Sequence, residues 1–248
     1  MKLKYYFFIL IVQFFLIFNL NAQSKSAKNK SYAIYEVIYA FNSEVEAEKV
    51  NSAPAAMKKT AADVEKLLQE SRSILLCNRT HSINYVESTI SSSSMADVMA
   101  KAMIRSDRTY YIDLPVKSAK VNLTSPGEIS LLMLDEKIVW DISDETALIN
   151  GLRCIKADGI IKTPGFKDTK ITAWFTPDLP ISLGPHGLFG LPGLILKYKC
   201  FSLIMTASSI RNIENQKINI EIPPSDNLKN NSENIINLKK PLPKNGKK

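Results

Sequence analysis

Residues 31–42 form the first stretch of the chain in which apolar residues recur with a regular period. Apolar side chains occupy every second position there, and the positions between them are mixed in polarity. The alternating set is Ala33, Tyr35, Val37, Tyr39 and Phe41. A period of two with aromatic and β-branched residues predicts a β-strand. The mixed second face indicates that both sides of this strand are partly covered.

The period changes to that of a helix between about Pro54 and Ser71. One helical face there carries Met57, Ala61, Val64, Leu67 and Leu68. This pattern predicts one long amphipathic helix. A second, weaker helix is predicted after Ser94, because Asp97 follows three residues later as in a capping box. Its methionine-rich face is interpreted as irregular core filling, with a ligand surface as the alternative.

Further strand-like runs follow with short breaks between them. They are His81–Ile90, Thr109–Leu114, Ala119–Leu123, Ile129–Leu134, Lys137–Ile142, Leu152–Thr163, Lys170–Thr176 and Leu194–Ser208. Regular alternation of helices and strands is absent, which argues against a doubly wound parallel sheet. We therefore expect a mainly β (α+β) fold, in which the long helix packs on a curved antiparallel sheet or half-barrel-like sheet.

The first residues have the composition of a secretory signal. Lys2 and Lys4 precede an apolar run from Tyr5 to Phe18, and Ala22 offers the small residue needed before a cleavage point. An uncleaved anchor is the alternative, but a spanning helix needs about 20 apolar residues. We expect a signal peptide over 1–22 and a periplasmic or secreted protein, with no transmembrane segment after cleavage.

The charge of the chain, +8 overall, is concentrated at its two ends. The tail 223–248 carries six lysines against Asp226 and Glu233, and it is rich in asparagine and proline. Such a composition predicts a disordered terminus; adhesion of the tail to an anionic membrane surface is the alternative. Residues 23–222 are then expected to form a single β-rich domain. That domain lacks a basic stripe with interleaved aromatics, so we expect no nucleic-acid partner.

Three cysteines follow the predicted signal peptide, and an exported compartment permits disulfides. Cys154 and Cys200 each lie in a strand-like run, so a bridge between them is our hypothesis, with Cys77 left as a buried thiol. The alternative, three buried cysteines without a bridge, stays open.

The segment Gly184–Leu196, with the sequence GPHGLFGLPGLIL, holds four of the nine glycines. Glycine permits positive φ or a close approach of the backbone, whereas proline fixes φ. This predicts a shaped loop that feeds a strand. It is not a phosphate loop, because no Lys-Ser or Lys-Thr pair follows. The residues predicted to contribute to a binding site are Gly184, Pro185, His186, Gly187, Phe189, Gly190, Leu191, Pro192, Gly193, Trp140 and Trp174.

The run Gly190–Ile195 resembles the GLPGLI family of exported Bacteroidetes proteins, which is named for it. The resemblance extends backwards to Trp140 through a set of shorter motifs. These are Trp140-Asp141-Ile142, Glu145-Thr146, Ile149-Asn150-Gly151, Cys154-Ile155-Lys156-Ala157, Ala173-Trp174-Phe175-Thr176, Pro180-Ile181 and Gly184-Pro185. One departure is Gly151-Leu152-Arg153-Cys154, where such proteins often have GYxC. The resemblance implies an envelope or secreted protein with no established activity, cofactor or catalytic residues.

The sequence contains only two histidines, His81 and His186, and neither lies in a metal-spaced cluster. We expect no metal or cofactor, and His186 to be a partly exposed loop residue. The favoured function is non-enzymatic binding of an apolar ligand, a peptide, or an outer-membrane or periplasmic protein. A lipid would lie between helix and sheet, with residues 184–193 at the rim. The alternative is a hydrolase or thiol-based redox enzyme that uses Cys154, Cys200 or His186.

Overall fold

The computed structural model describes residues 33–44, 53–91, 93–125, 128–133, 137–213, 220 and 222, with the backbone alone for 124–133. The predicted signal peptide and the predicted C-terminal tail lie outside these residues. No helix in the described part of the chain is long and apolar enough to span a membrane.

One antiparallel sheet of eleven strands forms the body. The strands are β1 (Tyr35–Ser43), β2 (Arg72–Cys77), β3 (His81–Glu87), β4 (Arg108–Asp113), β5 (Ser118–Ser125), β6 (Glu128–Met133), β7 (Lys137–Ile149), β8 (Leu152–Lys162), β9 (Thr169–Thr176), β10 (Leu194–Cys200) and β11 (Leu203–Asn212). Their spatial order is β6-β5-β4-β3-β2-β1-β11-β10-β9-β8-β7. The antiparallel sheet predicted from the alternating pattern is therefore confirmed.

The sheet is open but strongly curled. Its two edge strands, β6 and β7, are consecutive in the chain, and only residues 134–136 separate Met133 from Lys137. A connection of this length spans at most about 15 Å, so the two edges approach each other at this point. Eleven strands would extend far beyond that distance in a flat sheet, because neighbouring strands lie about 4.8 Å apart.

Two helices occur among the described residues, close to the two helical segments predicted from the sequence, and a sheet covered by one long helix alone is not confirmed. Helix α1 (Ala55–Glu70) buries Val64 and Leu68, as its apolar face predicts. Helix α2 (Met95–Ile104) begins with the predicted capping box between Ser94 and Asp97. The two helices pack against each other, which buries the small residues of α2 and shares the covering role between them.

Both helices lie at one end of the sheet. Helix α1 lies between the end of β1 and the start of β2, and α2 lies between the end of β3 and the start of β4. The strand register places these strand ends at the same end of the sheet as the tight turn at Phe201 and Ser202. At the opposite end, the chain leaves β9 at Thr176 and enters β10 at Leu194, which pair with each other. Residues 177–193, here called the interior segment, are the connection between those two strands.

The inner face of the sheet is apolar and almost fully buried. Its large side chains include Tyr39, Phe41, Leu75, Phe175 and Tyr198, each at most 1% exposed. They come from both halves of the sheet, and the helical residues Leu68 and Ile104 belong to the same cluster. A single core therefore extends from the inner face to the helices.

Candidate functional site

The interior segment crosses the inside of the curled sheet. It contains one turn of 3₁₀-helix, Pro185–Gly187, and this turn contacts β2, β3, β4 and β5, on the far side of the sheet from β9 and β10. Nine of its residues are buried: Ile181, Leu183, Gly184, Pro185, His186, Gly187, Leu188, Leu191 and Gly193. The segment fills the interior instead of forming the rim that the sequence led us to expect.

Close packing explains the glycines at two positions of this motif. A Cβ atom at Gly193 would lie 2.1 Å from the carbonyl oxygen of Thr176, and a Cβ at Gly184 would lie 2.8 Å from the Ile195 side chain. Real Cβ contacts do not reach these distances, so any side chain would force the backbone apart. The motif is therefore required for packing between the interior segment and β9–β10.

Asn84, on β3, anchors the motif from the opposite wall. Its Oδ1 accepts a hydrogen bond from the backbone N–H of His186 at 2.7 Å. Its Nδ2 group donates to Ser73 Oγ at 2.8 Å and to the Ile74 carbonyl at 2.9 Å. All of the side-chain hydrogen-bonding groups of Asn84 are thus used inside the core. The sequence analysis did not identify this residue, because a single asparagine in a strand carries no distinguishing pattern.

The two tryptophans have different environments. Trp140 packs over Gly159 on the neighbouring strand, and its Nε1–H donates to the Phe189 carbonyl at 2.9 Å. It thereby ties β7 to the interior segment. Trp174 points to the outer face instead, where Lys197 Nζ lies 4.6 Å from its ring centroid. The two residues therefore do not share one binding site.

His186 lies deep in the interior, at 6% exposure, and is not the partly exposed loop residue that was expected. Its ring centroid is 5.6 Å from that of Tyr110 and 6.0 Å from that of Tyr198. Burial is the main reason why the pKa of His186 is well below its ordinary value, and the charges of Arg105 and Arg108 lower it further. The imidazole is therefore neutral at physiological pH.

The three cysteines are free and buried, so the hypothesis of a bridge between Cys154 and Cys200 was wrong. Cys154 lies on β8 and Cys200 on β10, with β9 between them. Cys200 is aligned through β9 with Gly159, five residues beyond Cys154, or about 17 Å along the strand. A disulfide requires Cα atoms within about 7 Å.

The thiols of Cys77 and Cys154 have little nucleophilic character. Burial raises the pKa of Cys77 to about 12 and is the main cause that raises the pKa of Cys154 to about 11. Neither thiol is ionised appreciably near neutral pH, and the thiolate is the reactive form. Among the described residues, no group of three His, Cys, Asp or Glu side chains could hold a metal ion.

A groove of about 570 Å³ lies on the outer face of β7–β10. Its apolar part includes Val139, Ile160 and Phe201, which are 53%, 36% and 78% exposed. Charged and polar side chains lie among them: Asp141, Asp158, Lys170, Thr172 and Lys199. This surface, called the outer groove below, adjoins the free edge of β7. Of the residues predicted to contribute to a binding site, Trp140 lines this groove, whereas the glycine-proline motif and Trp174 do not.

Comparisons with known proteins gave a match to part of the chain. A family model described as "Protein of unknown function (Porph_ging)" matches residues 162–197, which include β9 and the interior segment. The matched stretch contains Gly190–Ile195, but membership of the GLPGLI family stays a prediction. The comparison with curated proteins gave no match.

One solved structure with a similar arrangement is that of PNGF-II in space group P21. The alignment has 18% sequence identity and a TM-score of 0.46, and it covers 73% of this chain and 28% of that one. The chain thus spans less than a third of the length of that protein.

Proposed function

We propose that this chain is an exported, non-enzymatic binding protein of the bacterial envelope, and that its outer groove holds an extended segment of a protein partner. The observation that carries the proposal is the exposure of Phe201 at a strained turn position. The outer groove has the volume of a ligand site, which is about 300–1,000 Å³. It is the larger of the two cavities described here.

Phe201 occupies the first position of the two-residue turn between β10 and β11, with φ of 52°. Glycine or asparagine is preferred at positive φ in such turns, and a bulky residue there is an outlier. The side chain is 78% exposed, so it gains little from packing within the protein. Strained residues that gain no internal contact are found mainly at functional sites. A role of Phe201 as the aromatic anchor for a partner protein explains why a bulky residue occupies this exposed position.

An extended polypeptide is the occupant that fits the surroundings of the groove. Strand β7 is an edge strand of 13 residues, so the backbone groups on its free side have no partner in the sheet. A partner segment can add to such an edge while its side chains reach the neighbouring pockets. The acidic residues Asp141 and Asp158 and the basic residue Lys170 offer charged contacts on either side of the apolar part.

Two other candidate functions have less support. The interior segment packs against the inner face of the sheet, so a carrier of an apolar ligand in the interior would have to displace buried Leu188 and Leu191. Thiol chemistry is opposed by the raised pKa values of Cys77 and Cys154. Binding on the outer face requires neither displacement of the core nor ionisation of a buried group.

Site-specific photocrosslinking in cells tests the proposal. A photoreactive phenylalanine analogue replaces Phe201 in one strain and Leu148 in another; Leu148 is 77% exposed but does not line the groove, which makes it a matched control. We expect a defined crosslinked partner at 201 and none at 148, with the crosslinked peptide mapped by mass spectrometry. A synthetic copy of that peptide should bind the purified protein and lose about tenfold in affinity to Phe201→Asn.

Two results would refute the assignment. One is equal crosslinking from both positions, and the other is unchanged affinity of the peptide for Phe201→Asn. Export is tested separately by N-terminal sequencing of the protein from the cell envelope. We expect the mature chain to begin at Gln23, and a protein that retains Met1 would contradict the predicted signal peptide.

A further inference from the structure

A second cavity, of about 230 Å³, lies beneath the C-terminal end of α2. Its lining includes Met103 from α2, Arg105 directly after the end of α2, and His186 from the interior segment. Tyr198 from β10 and Leu203 from β11 complete this part of the wall. We call it the α2 pocket. It differs from the outer groove in location and in lining, although Phe201 borders both cavities.

His186 presents unused hydrogen-bonding capacity to this pocket. Neither of its ring nitrogens has a hydrogen-bond partner among the described residues, although the residue is only 6% exposed. The backbone carbonyl of Ile104 is close enough to raise the pKa of His186, but the geometry between it and the ring nitrogens is not that of a hydrogen bond. Buried polar atoms in native proteins are nearly always paired, and an unpaired one calls for an explanation such as a missing ligand.

The electrostatic surroundings of His186 are positive. Arg105 lines the pocket, and the charges of Arg105 and Arg108 both act on the imidazole. Asp107 lies 3.5 Å from Arg108 Nε, whereas none of the described residues that line the pocket is acidic. The one hydrogen bond found for the Arg105 guanidinium goes from Nη1 to Tyr110 Oη, at 3.2 Å. Guanidinium has five N–H donors, so the pocket retains donors for an anion.

Backbone strain concentrates at the same place. Five non-glycine residues of the described chain have positive φ, and three of them line the α2 pocket: Arg105 at 54°, His186 at 53° and Phe201 at 52°. The positive φ of each residue has a local structural origin. Arg105 ends α2, His186 lies in the 3₁₀ turn, and Phe201 lies in the β10–β11 turn. Their convergence on one small cavity is independent of the charge argument, and such clustering is typical of ligand sites.

From these observations we infer that the α2 pocket binds a small organic carboxylate, whose oxygens meet Arg105 and the N–H of His186. Arginine matches the planar carboxylate with two parallel donors, which a point charge cannot do. Met103, Tyr198 and Leu203 supply an apolar wall for the rest of the molecule. The volume lies below the usual range for drug-sized ligands, so the ligand is small. The inference is independent of the partner proposed for the outer groove.

Imidazole NMR of histidine-labelled protein tests the site directly, because the chain contains only His81 and His186. Benzoate is the probe, and benzamide, which has the same shape without the charge, is its control. We expect benzoate to shift the ring signals of His186 in a saturable way, with Kd of about 1 mM or tighter. The signals of His81, at the far end of β3, should stay unchanged, and benzamide should have no effect.

Substitutions then separate a true site from a general salt effect. Arg105→Met should abolish the benzoate-induced shift, and Arg105→Lys, which keeps the charge but not the planar fork, should weaken binding about tenfold. Lys170→Met, in the outer groove, is the control and should bind benzoate as the parent does. Thermal unfolding establishes that each variant is folded. Absence of a shift in the folded parent, an equal shift with benzamide, or an unchanged affinity in folded Arg105→Met would each overturn the inference.

Discussion

The interior segment and the β10–β11 turn lie a few residues apart in the chain and differ in every physical respect. The segment is rich in glycine and proline and largely buried, and a Cβ atom added at Gly184 or Gly193 would lie less than 3 Å from neighbouring atoms. The turn has an ordinary composition, yet it holds an exposed phenylalanine in a conformation that favours glycine. A conspicuous sequence motif can thus be required for packing alone. A residue without any motif, held at a positive φ that is unfavourable for its side chain, is the better candidate for binding.

The largest expected effect concerns Gly193 and tests whether the glycines of the interior segment are required for close packing. Gly193→Ala places a methyl group against the Thr176 carbonyl, so we expect the free energy of unfolding to fall by about 3 kcal/mol. Gly151→Ala is the matched control: φ there is 75° but nothing lies within 4 Å, and the expected loss is about 1 kcal/mol. Urea denaturation measures both. A loss for Gly193→Ala no larger than that for Gly151→Ala would mean that the close approach to Thr176 does not require glycine at position 193.

Asn84→Ala removes the anchor between the interior segment and β3. It deletes three hydrogen bonds and leaves the buried N–H of His186 unpaired, so we expect a loss of about 2–3 kcal/mol in unfolding free energy. Ser73→Ala removes only one of those contacts and should cost about 1 kcal/mol. If both variants were as stable as the parent in urea, the interior segment would be held by apolar contacts alone.

Acidification tests whether His186 is buried in its neutral form. Its pKa in the folded state lies below the ordinary value, so the unfolded chain binds a proton that the folded chain does not. Stability should therefore decrease as the pH falls below about 6.5, by up to about 1.4 kcal/mol per pH unit. Arginine and tyrosine side chains do not titrate in this range.

The variant His186→Asn isolates this contribution, because asparagine tolerates positive φ and does not titrate. Carboxylates titrate mainly below about pH 5, so unfolding free energies measured between about pH 5 and 7 should lose their slope in this variant. Ser73→Ala, which removes no titratable group, should retain the slope of the parent. The same slope in all three proteins would show that His186 is accessible to protons in the folded state.

The smallest expected effect concerns the two tryptophans. Trp140→Phe removes the hydrogen bond to the Phe189 carbonyl and should lower the unfolding free energy by about 1 kcal/mol. Trp174→Phe keeps a ring beside Lys197 on the outer face, and we expect a loss of about 0.5 kcal/mol. A larger loss for Trp174→Phe than for Trp140→Phe would mean that the tryptophan on the outer face contributes more to stability. That result would contradict the distinction between a packed interior and an outer face available for binding.

Much of the sheet was predictable because alternation reports which face of a strand is buried. The predicted runs from His81 to Thr176 correspond to seven observed strands, although β7 extends to Ile149, well beyond the predicted Ile142. Strand β2 was not predicted as a strand, since a continuous apolar run such as Ile74–Cys77 has no period of its own. The run Leu194–Ser208 proved to be a hairpin, because its turn lacks the glycine or asparagine that signals one.

The candidate sites depend on residues that lie far apart in the chain. The outer groove joins residues of β7, β8, β9 and β10, and the α2 pocket joins Arg105 with His186. No local pattern relates such positions. The expectation that Cys154 and Cys200 were bridged failed for the same reason, since strand register, which the sequence does not display, keeps them apart.

The amino-acid sequence by itself determined the antiparallel class of the sheet and the capping box at Ser94, since these depend on neighbours within a few residues. It did not determine which helical faces are buried, because Met95, Val98 and Met99 of α2, which were expected in the core, are exposed. Only the tertiary structure decided that residues 177–193 enter the interior, that His186 loses contact with solvent and that Phe201 does not. Burial is set by what the curl of the sheet brings over each side chain. That curl is a property of eleven strands together and not of any one of them.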